Sequence, residues 1–105
     1  VFVGDTSLNN VKLPSKITEI KGSTFENCSS LTSIEIPESV TRIGGHAFYG
    51  CSSLSYVYVP RTLTEIGSSA FRQCYSLRSI TIPRNAYVNE RAFKESPTSI
   101  SYYNY

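Results

Sequence analysis

Residues 36–54 read IPESVTRIGGHAFYGCSSL, and residues 59–77 repeat the same order of residue types as VPRTLTEIGSSAFRQCYSL. Each position is matched by the one numbered 23 higher, and the same interval recurs in three other sets: Cys28, Cys51 and Cys74; Phe2, Phe25, Phe48 and Phe71; Pro14, Pro37, Pro60 and Pro83. A fixed period of this length is typical of a solenoid, in which each coil packs only on its neighbours. The sequence therefore predicts a stack of near-identical coils.

Size and charge narrow the class of protein. The chain has 105 residues and a formal charge of +2, and its ten basic residues are dispersed, which argues against nucleic acid as a partner. No apolar run is long enough to span a membrane, and no secretion signal is recognisable. We expect one domain, 1–105, with a partial coil 1–13, coils 14–36, 37–59 and 60–82, and an atypical coil 83–105. Because the chain opens in the middle of a repeat, we expect a processed product or a piece of a longer protein.

The first half of each coil is predicted to be a short strand. Ile34 and Ile36 lie two residues apart and share one face, whereas Glu35 faces the other side. The strand should end at Pro37, because proline has no N–H for a ladder. Leu31 is a third inward position, and the equivalents of Leu31, Ile34 and Ile36 in the other coils are Leu8, Val11 and Leu13; Leu54, Val57 and Val59; Leu77, Ile80 and Ile82; Ile100, Tyr103 and Tyr105.

Such strands should lie side by side, parallel and in register. Residues one period apart then become neighbours, so Lys12 lies opposite Glu35, and Arg42 lies between Glu19 and Glu65. Opposite charges on adjacent strands stabilise a sheet slightly, which is consistent with this stacking.

The second half of each coil returns the chain across the back. Inward positions are predicted at Val40 and Ile43, and Gly44 and Gly67 are predicted to turn the chain with positive φ. The Ala-Phe pairs that follow are expected to form one helical turn. The core ladder then consists of the cysteines and phenylalanines: Cys28, Cys51, Cys74, Phe25, Phe48 and Phe71.

The last coil departs from the pattern. One residue is missing between Pro83 and Phe93, and we expect it to be regained before Ile100. Pro97 stands in the cysteine slot. Terminal repeats are often atypical because they shield the core. We interpret this coil as a partial cap, or as an end face for assembly formed at the two ends by Phe2, Tyr103 and Tyr105.

The order Ile-Pro-x-Ser-Val-Thr-x-Ile-Gly-x-x-Ala-Phe-x-x-Cys-Ser-Ser-Leu over residues 36–54 resembles the BspA-type, or Treponema-type, leucine-rich repeats. The resemblance covers practically the whole chain and is weakest in the last coil. It implies a right-handed leucine-rich-repeat solenoid with a parallel sheet on the concave side, and turns with short helical or 3-10 segments on the convex side. It also implies an extracellular or cell-surface protein that adheres to, or binds, proteins or glycans.

The outward strand positions are the candidate binding residues, because they differ from coil to coil. The candidates on the concave face are Tyr56, Tyr58, Arg78, Tyr102 and Glu35. Tyrosine and arginine are favoured at binding hot spots. The alternative is that the tyrosines are present only because tyrosine is favoured in strands.

No catalytic, metal or cofactor site is indicated. His46 is the only histidine, and its slot holds serine in other coils, so it is predicted to be an exposed loop residue. Three inward thiols form a row and not a tetrahedron, which argues against zinc. They are expected to be free, although neighbouring positions could approach disulfide distance. Asn27-Cys28-Ser29 formally matches a glycosylation sequon.

Two functions of different classes remain. The first is a non-catalytic binding or adhesion module that presents its concave sheet to a protein or glycan. The alternative is a structural protomer that stacks end to end on copies of itself into a filament, because uncapped repeat ends expose unpaired strands.

Overall fold

The computed structural model describes residues 4–103. Each coil contributes two short strands, and about four coils stack into a parallel β-solenoid. In chain order the strands are β1 (Asn10–Lys12), β2 (Glu19–Ile20), β3 (Ser33–Glu35), β4 (Arg42–Ile43), β5 (Tyr56–Tyr58), β6 (Glu65–Ile66), β7 (Ser79–Ile82), β8 (Tyr87–Val88) and β9 (Ser99–Tyr102).

The odd-numbered strands form the first strand row, which is the one predicted from the sequence. Strands β1, β3 and β5 pair in parallel and in register, so that Val11, Ile34 and Val57 lie in one file. The prediction of a single sheet is wrong in one respect, because β7 pairs with β9 and not with β5. The outward side of the first strand row is called the concave face below.

A second strand row, β2-β4-β6-β8, was not foreseen. Its strands have only two residues each, which is too short for an alternation of apolar and polar residues to show in the sequence. The predicted charge column runs along this row: Arg42 Nη1 lies 3.8 Å from Glu19, and Arg42 Nε lies 3.1 Å from Glu65. The column therefore confirms that residues one period apart are neighbours.

The core consists of vertical files of identical or similar side chains, as predicted. The stacked rings of Phe25, Phe48, Phe71 and Phe93 have centroids 5.3, 5.1 and 5.2 Å apart. None of the three cysteines forms a disulfide, and none has exposed surface. Burial of these files is the main stabilising term, because the strands are too short to be stable alone.

The predicted helical turn at each Ala-Phe pair is wrong, and residues 4–103 contain no helix. The phenylalanine N–H that a helix would use inside its own coil bonds instead to the next coil. Phe25 N–H donates to the Ala47 carbonyl at 2.8 Å, and Phe48 N–H donates to the Ala70 carbonyl at 2.7 Å. The segment therefore consists of turns, and these N–H groups find their hydrogen-bond partners in the neighbouring coil.

The positive φ predicted for Gly44 and Gly67 is also wrong. The left-handed positions lie two residues before and two residues after each phenylalanine: Ser23, His46 and Ser69 before it, and Gly4, Asn27, Gly50, Gln73 and Glu95 after it. Gly44 is needed for a different reason. A Cβ there would lie 2.6 Å from the backbone nitrogen of Gly22 in the coil beneath.

The last coil is shorter than predicted. Ile100 pairs with Ile80 and Tyr102 pairs with Ile82, so these partners are three positions closer in sequence than those of the regular coils. The lost residue before Phe93 is therefore not regained, and two more are lost. Ser96, and not Pro97, occupies the cysteine slot, because its hydroxyl donates to the Phe71 carbonyl, as Cys74 Sγ does to the Phe48 carbonyl at 3.2 Å.

This change of register exchanges the faces of the final residues. A shift by an odd number moves every side chain to the opposite face of a strand. Tyr102, predicted on the concave face, shares the face of Ile82 and is 47% exposed at the last coil. Tyr103, predicted to point inward, lies on the concave face.

Candidate binding face

Two recesses on the concave face meet at Tyr58. The first recess has a volume of about 530 Å³ and lies along β1 and β3. The second recess has a volume of about 290 Å³ and lies between β5 and β7. Tyr58 lines both recesses, because its strand lies at the break in the first strand row.

Apolar and charged residues line the first recess. Its lining includes the half-buried Val11 and Leu13 and the exposed Lys12, Glu35 and Glu38. The register places Lys12 opposite Glu35. The recess therefore offers both signs of charge beside apolar residues, which suits an amphiphilic ligand.

A hydrogen bond fixes Tyr58 at the junction. Its hydroxyl donates to Glu38 Oε2 at 2.8 Å. This bond is the main reason why the pKa of Tyr58 is raised to about 12, with desolvation as the second cause. The hydrogen bond holds the Tyr58 ring in place, where it can serve as a contact surface.

The second recess is lined by aromatic and hydroxyl side chains. Tyr56 stands 53% exposed on one side, and Ser79 and Thr81 line the other. Tyr103 lines the same recess. The Arg61 guanidinium carbon lies 4.2 Å from the centre of the Tyr103 ring, within the range of a cation–π interaction.

The structure brings together only part of the predicted site. Glu35, Tyr56 and Tyr58 lie on the concave face around the two recesses. Arg78 is exposed just before β7 and lines neither recess, and Tyr102 is turned to the other face.

The predicted end face comprises Phe2, Tyr103 and Tyr105. Tyr103 lines the second recess, and its role in an end face stays a prediction. Phe2 and Tyr105 lie outside the described residues.

Two important side chains, Glu38 and Arg61, were missed by sequence reasoning. Each follows the proline that ends its strand, and the two are one repeat period apart. Arg84 occupies the same slot in the next coil. The position after each proline forms a rim along the concave face, and this regular spacing was the signal that could have identified it.

The side chains with catalytic potential lie away from this face or inside the core. His46 is exposed, as predicted, and stacks on Tyr49 with ring centroids 5.3 Å apart. Burial raises the pKa of Cys51, and it raises the pKa of Cys74 to about 12. A thiolate is the reactive form of cysteine, so these thiols are poor nucleophiles.

Three further observations concern possible sites and modifications. Among residues 4–103, no cluster of three or more histidine, cysteine, aspartate or glutamate side chains could hold a metal ion. The same part of the chain has no helix with the length and apolarity required to cross a bilayer. Asn27, the residue of the sequon, is exposed.

Solved structures similar to the chain include leucine-rich repeat proteins from three bacteria. One from Bacteroides ovatus is 37% identical, with a TM-score of 0.83, over 94% of this chain and 26% of that one. One from Bacteroides capillosus is 27% identical, with a TM-score of 0.79, over 90% of this chain and 77% of that one. A leucine-rich cell surface protein from Faecalibacterium prausnitzii is 25% identical, with a TM-score of 0.78, over 91% of this chain and 32% of that one.

The chain thus spans about a quarter of the first of these structures and about a third of the third. Curated proteins include no match to it. The model of the BspA-type leucine-rich repeat region matches residues 1–104 in six copies. Since this match takes in nearly the whole sequence, the chain belongs to the BspA-type leucine-rich repeat family.

Proposed function

We propose that this protein is a non-catalytic binding module that holds a protein or glycan ligand on its concave face. The observation that carries the proposal is the meeting of two recesses at Tyr58, beside the exposed Tyr56. Rigid aromatic side chains next to concave, partly apolar surface are the usual anchors of a binding site. The repeat framework does not require tyrosine here, because the equivalent positions in β3 are Ser33 and Glu35.

The test is a double substitution with a matched control. Wild-type protein is screened against a panel of purified glycans and immobilised extracellular proteins, and Y56S/Y58S is compared on every hit. Binding should fall at least about tenfold, because two anchors are lost. The control, Y75S/Y87S, removes two tyrosines that are 53% and 61% exposed elsewhere and should bind normally. Equal binding by the two double variants would contradict the proposal.

We also propose that the module acts at the cell surface or outside the cell. The support is the similarity to the Faecalibacterium prausnitzii protein, which is described as a cell surface protein. Surface labelling of intact cells that produce the protein, with and without protease treatment, tests this placement.

End-to-end stacking into a filament is the second candidate. It is favoured by Val11 and Leu13 in the first coils and by Ile100 in the last, which are only half-buried and pack on the core from one side. Light scattering as a function of protein concentration tests it. A filament should elongate with concentration, and Y105K should prevent this; a constant size over a hundredfold range would contradict the proposal.

A further inference from the structure

Tyr103 lines the second recess and is held there by contacts that the repeat pattern does not supply. Its hydroxyl donates to the carbonyl of Val59, 44 residues away and two coils back. Arg61 covers its ring at 4.2 Å, and Arg84 Nε donates to its carbonyl at 3.0 Å. These contacts define a position for a phenol ring between a cation and a backbone acceptor.

We propose that the ring position of Tyr103, beside the second recess, is a subsite for a tyrosine side chain of a protein ligand, and that Tyr103 is its internal occupant. This inference rests on the proposed binding function and names the ligand chemistry for that face. The guanidinium of Arg61 selects a π face, and the Val59 carbonyl selects a hydroxyl donor at the tip of the ring. Phenylalanine lacks the donor, and a sugar lacks the π face.

The internal occupant can leave without unfolding the last coil. The Tyr103 N–H donates to the Ile82 carbonyl at 3.0 Å, so the backbone is held by the ladder independently of the side chain. Rotation of the side chain alone would free this ring position. One ring position cannot hold two rings, so a ligand tyrosine can bind only while the Tyr103 side chain is out of the position. The apparent affinity for the ligand is therefore the intrinsic affinity multiplied by the fraction of time that the position is empty.

The experiment uses N-acetyl-L-tyrosinamide as the probe and amide chemical shifts as the readout. The Y103A protein should bind the probe about tenfold more tightly than wild type, with shifts centred on Val59 and Arg61. N-acetyl-L-phenylalaninamide should bind more weakly, and R61A added to Y103A should reduce probe binding several-fold. Y102A is the control, since it removes an exposed tyrosine on the other face.

Y103F provides a second variant in case the alanine protein is unstable. It keeps the ring and loses the hydroxyl, so it should bind the probe with intermediate affinity. The proposal is overturned if Y103A and Y103F bind no better than Y102A, or if R61A leaves probe binding unchanged. The proposed function is tested separately, since Y56S/Y58S is scored on panel ligands with Tyr103 intact.

Discussion

At the scale of single residues, close contact between coils explains where glycine is required. Gly44 lies directly on the backbone of the coil beneath, and its own N–H donates to the Ile20 carbonyl at 2.7 Å. A Cβ at Gly44 would lie 2.6 Å from Gly22 N and 3.0 Å from Ile20 O. Movement of Ile20 O away from such a Cβ would stretch this hydrogen bond.

Gly44→Ala should therefore lower the free energy of unfolding by about 1–3 kcal/mol, as expected when a side chain is forced into a packed site. Gly45→Ala is the matched control, because its Cβ would lie 3.3 Å from its nearest neighbour, Ser68 O. Urea unfolding followed by circular dichroism measures both. An equal loss in the two variants would show that contact distance does not decide the cost.

The buried thiols predict a loss of stability in alkali. Burial raises the pKa of Cys74 to about 12, so the folded protein keeps this proton while the unfolded chain releases it from about pH 9. The contribution of this thiol to the free energy of unfolding is fully present below pH 9. It is lost as the pH rises towards 12, by up to about 1.4 kcal/mol per pH unit. In Cys74→Ala, the free energy of unfolding, measured by urea unfolding between pH 9 and 11, should fall less steeply with pH. An unchanged slope would contradict the assignment.

The repeat made core residues easy to predict and backbone angles hard. Slots one period apart identify which side chains are stacked, so the burial of Phe48 and Cys51 followed directly from the sequence. Glycine, in contrast, indicates either a positive φ or a close contact, and the sequence does not separate the two. His46, a non-glycine residue with φ of 61°, could not be recognised as left-handed from its residue type.

At the scale of elements, the regular coils were predictable and the last one was not. Registers β1–β3 and β3–β5 follow from the period alone. In β9 the period fails, and Ile100, Tyr103 and Tyr105 could be aligned with the repeat in more than one way. The inward–outward pattern of residues 99–103, Ser-Ile-Ser-Tyr-Tyr, fits either register. The position of Tyr103 therefore depends on packing that the sequence does not specify.

The charged column of the second strand row supports a prediction about pairing. Arg42→Glu would place three carboxylates on neighbouring strands in place of an alternating set. Because these groups are partly exposed, the cost should be only about 1 kcal/mol, and it should shrink in 1 M salt. Arg91→Glu, at an exposed turn, is the control. A loss that does not depend on salt would indicate a packing effect rather than charge.

At the scale of the whole molecule, stability should depend on where along the stack a contact is removed. In a solenoid each coil is stabilised only by its neighbours, so a weak central coil divides the array and a weak terminal coil merely frays. The phenylalanine file allows a direct comparison. Phe48 is fully buried between two rings, whereas Phe93 is half-buried and stacks on Phe71 in the last coil.

Phe48→Ala should destabilise the protein by about 3–5 kcal/mol and remove amide-exchange protection from every coil. Phe93→Ala should cost less and remove protection mainly from β8 and β9, because the coils before them keep their contacts with one another. Hydrogen exchange read by mass spectrometry, peptide by peptide, separates the two patterns. If Phe93→Ala exposed β1 and β3 as strongly as Phe48→Ala does, the stack would unfold as one unit, and its coils would not be energetically separable.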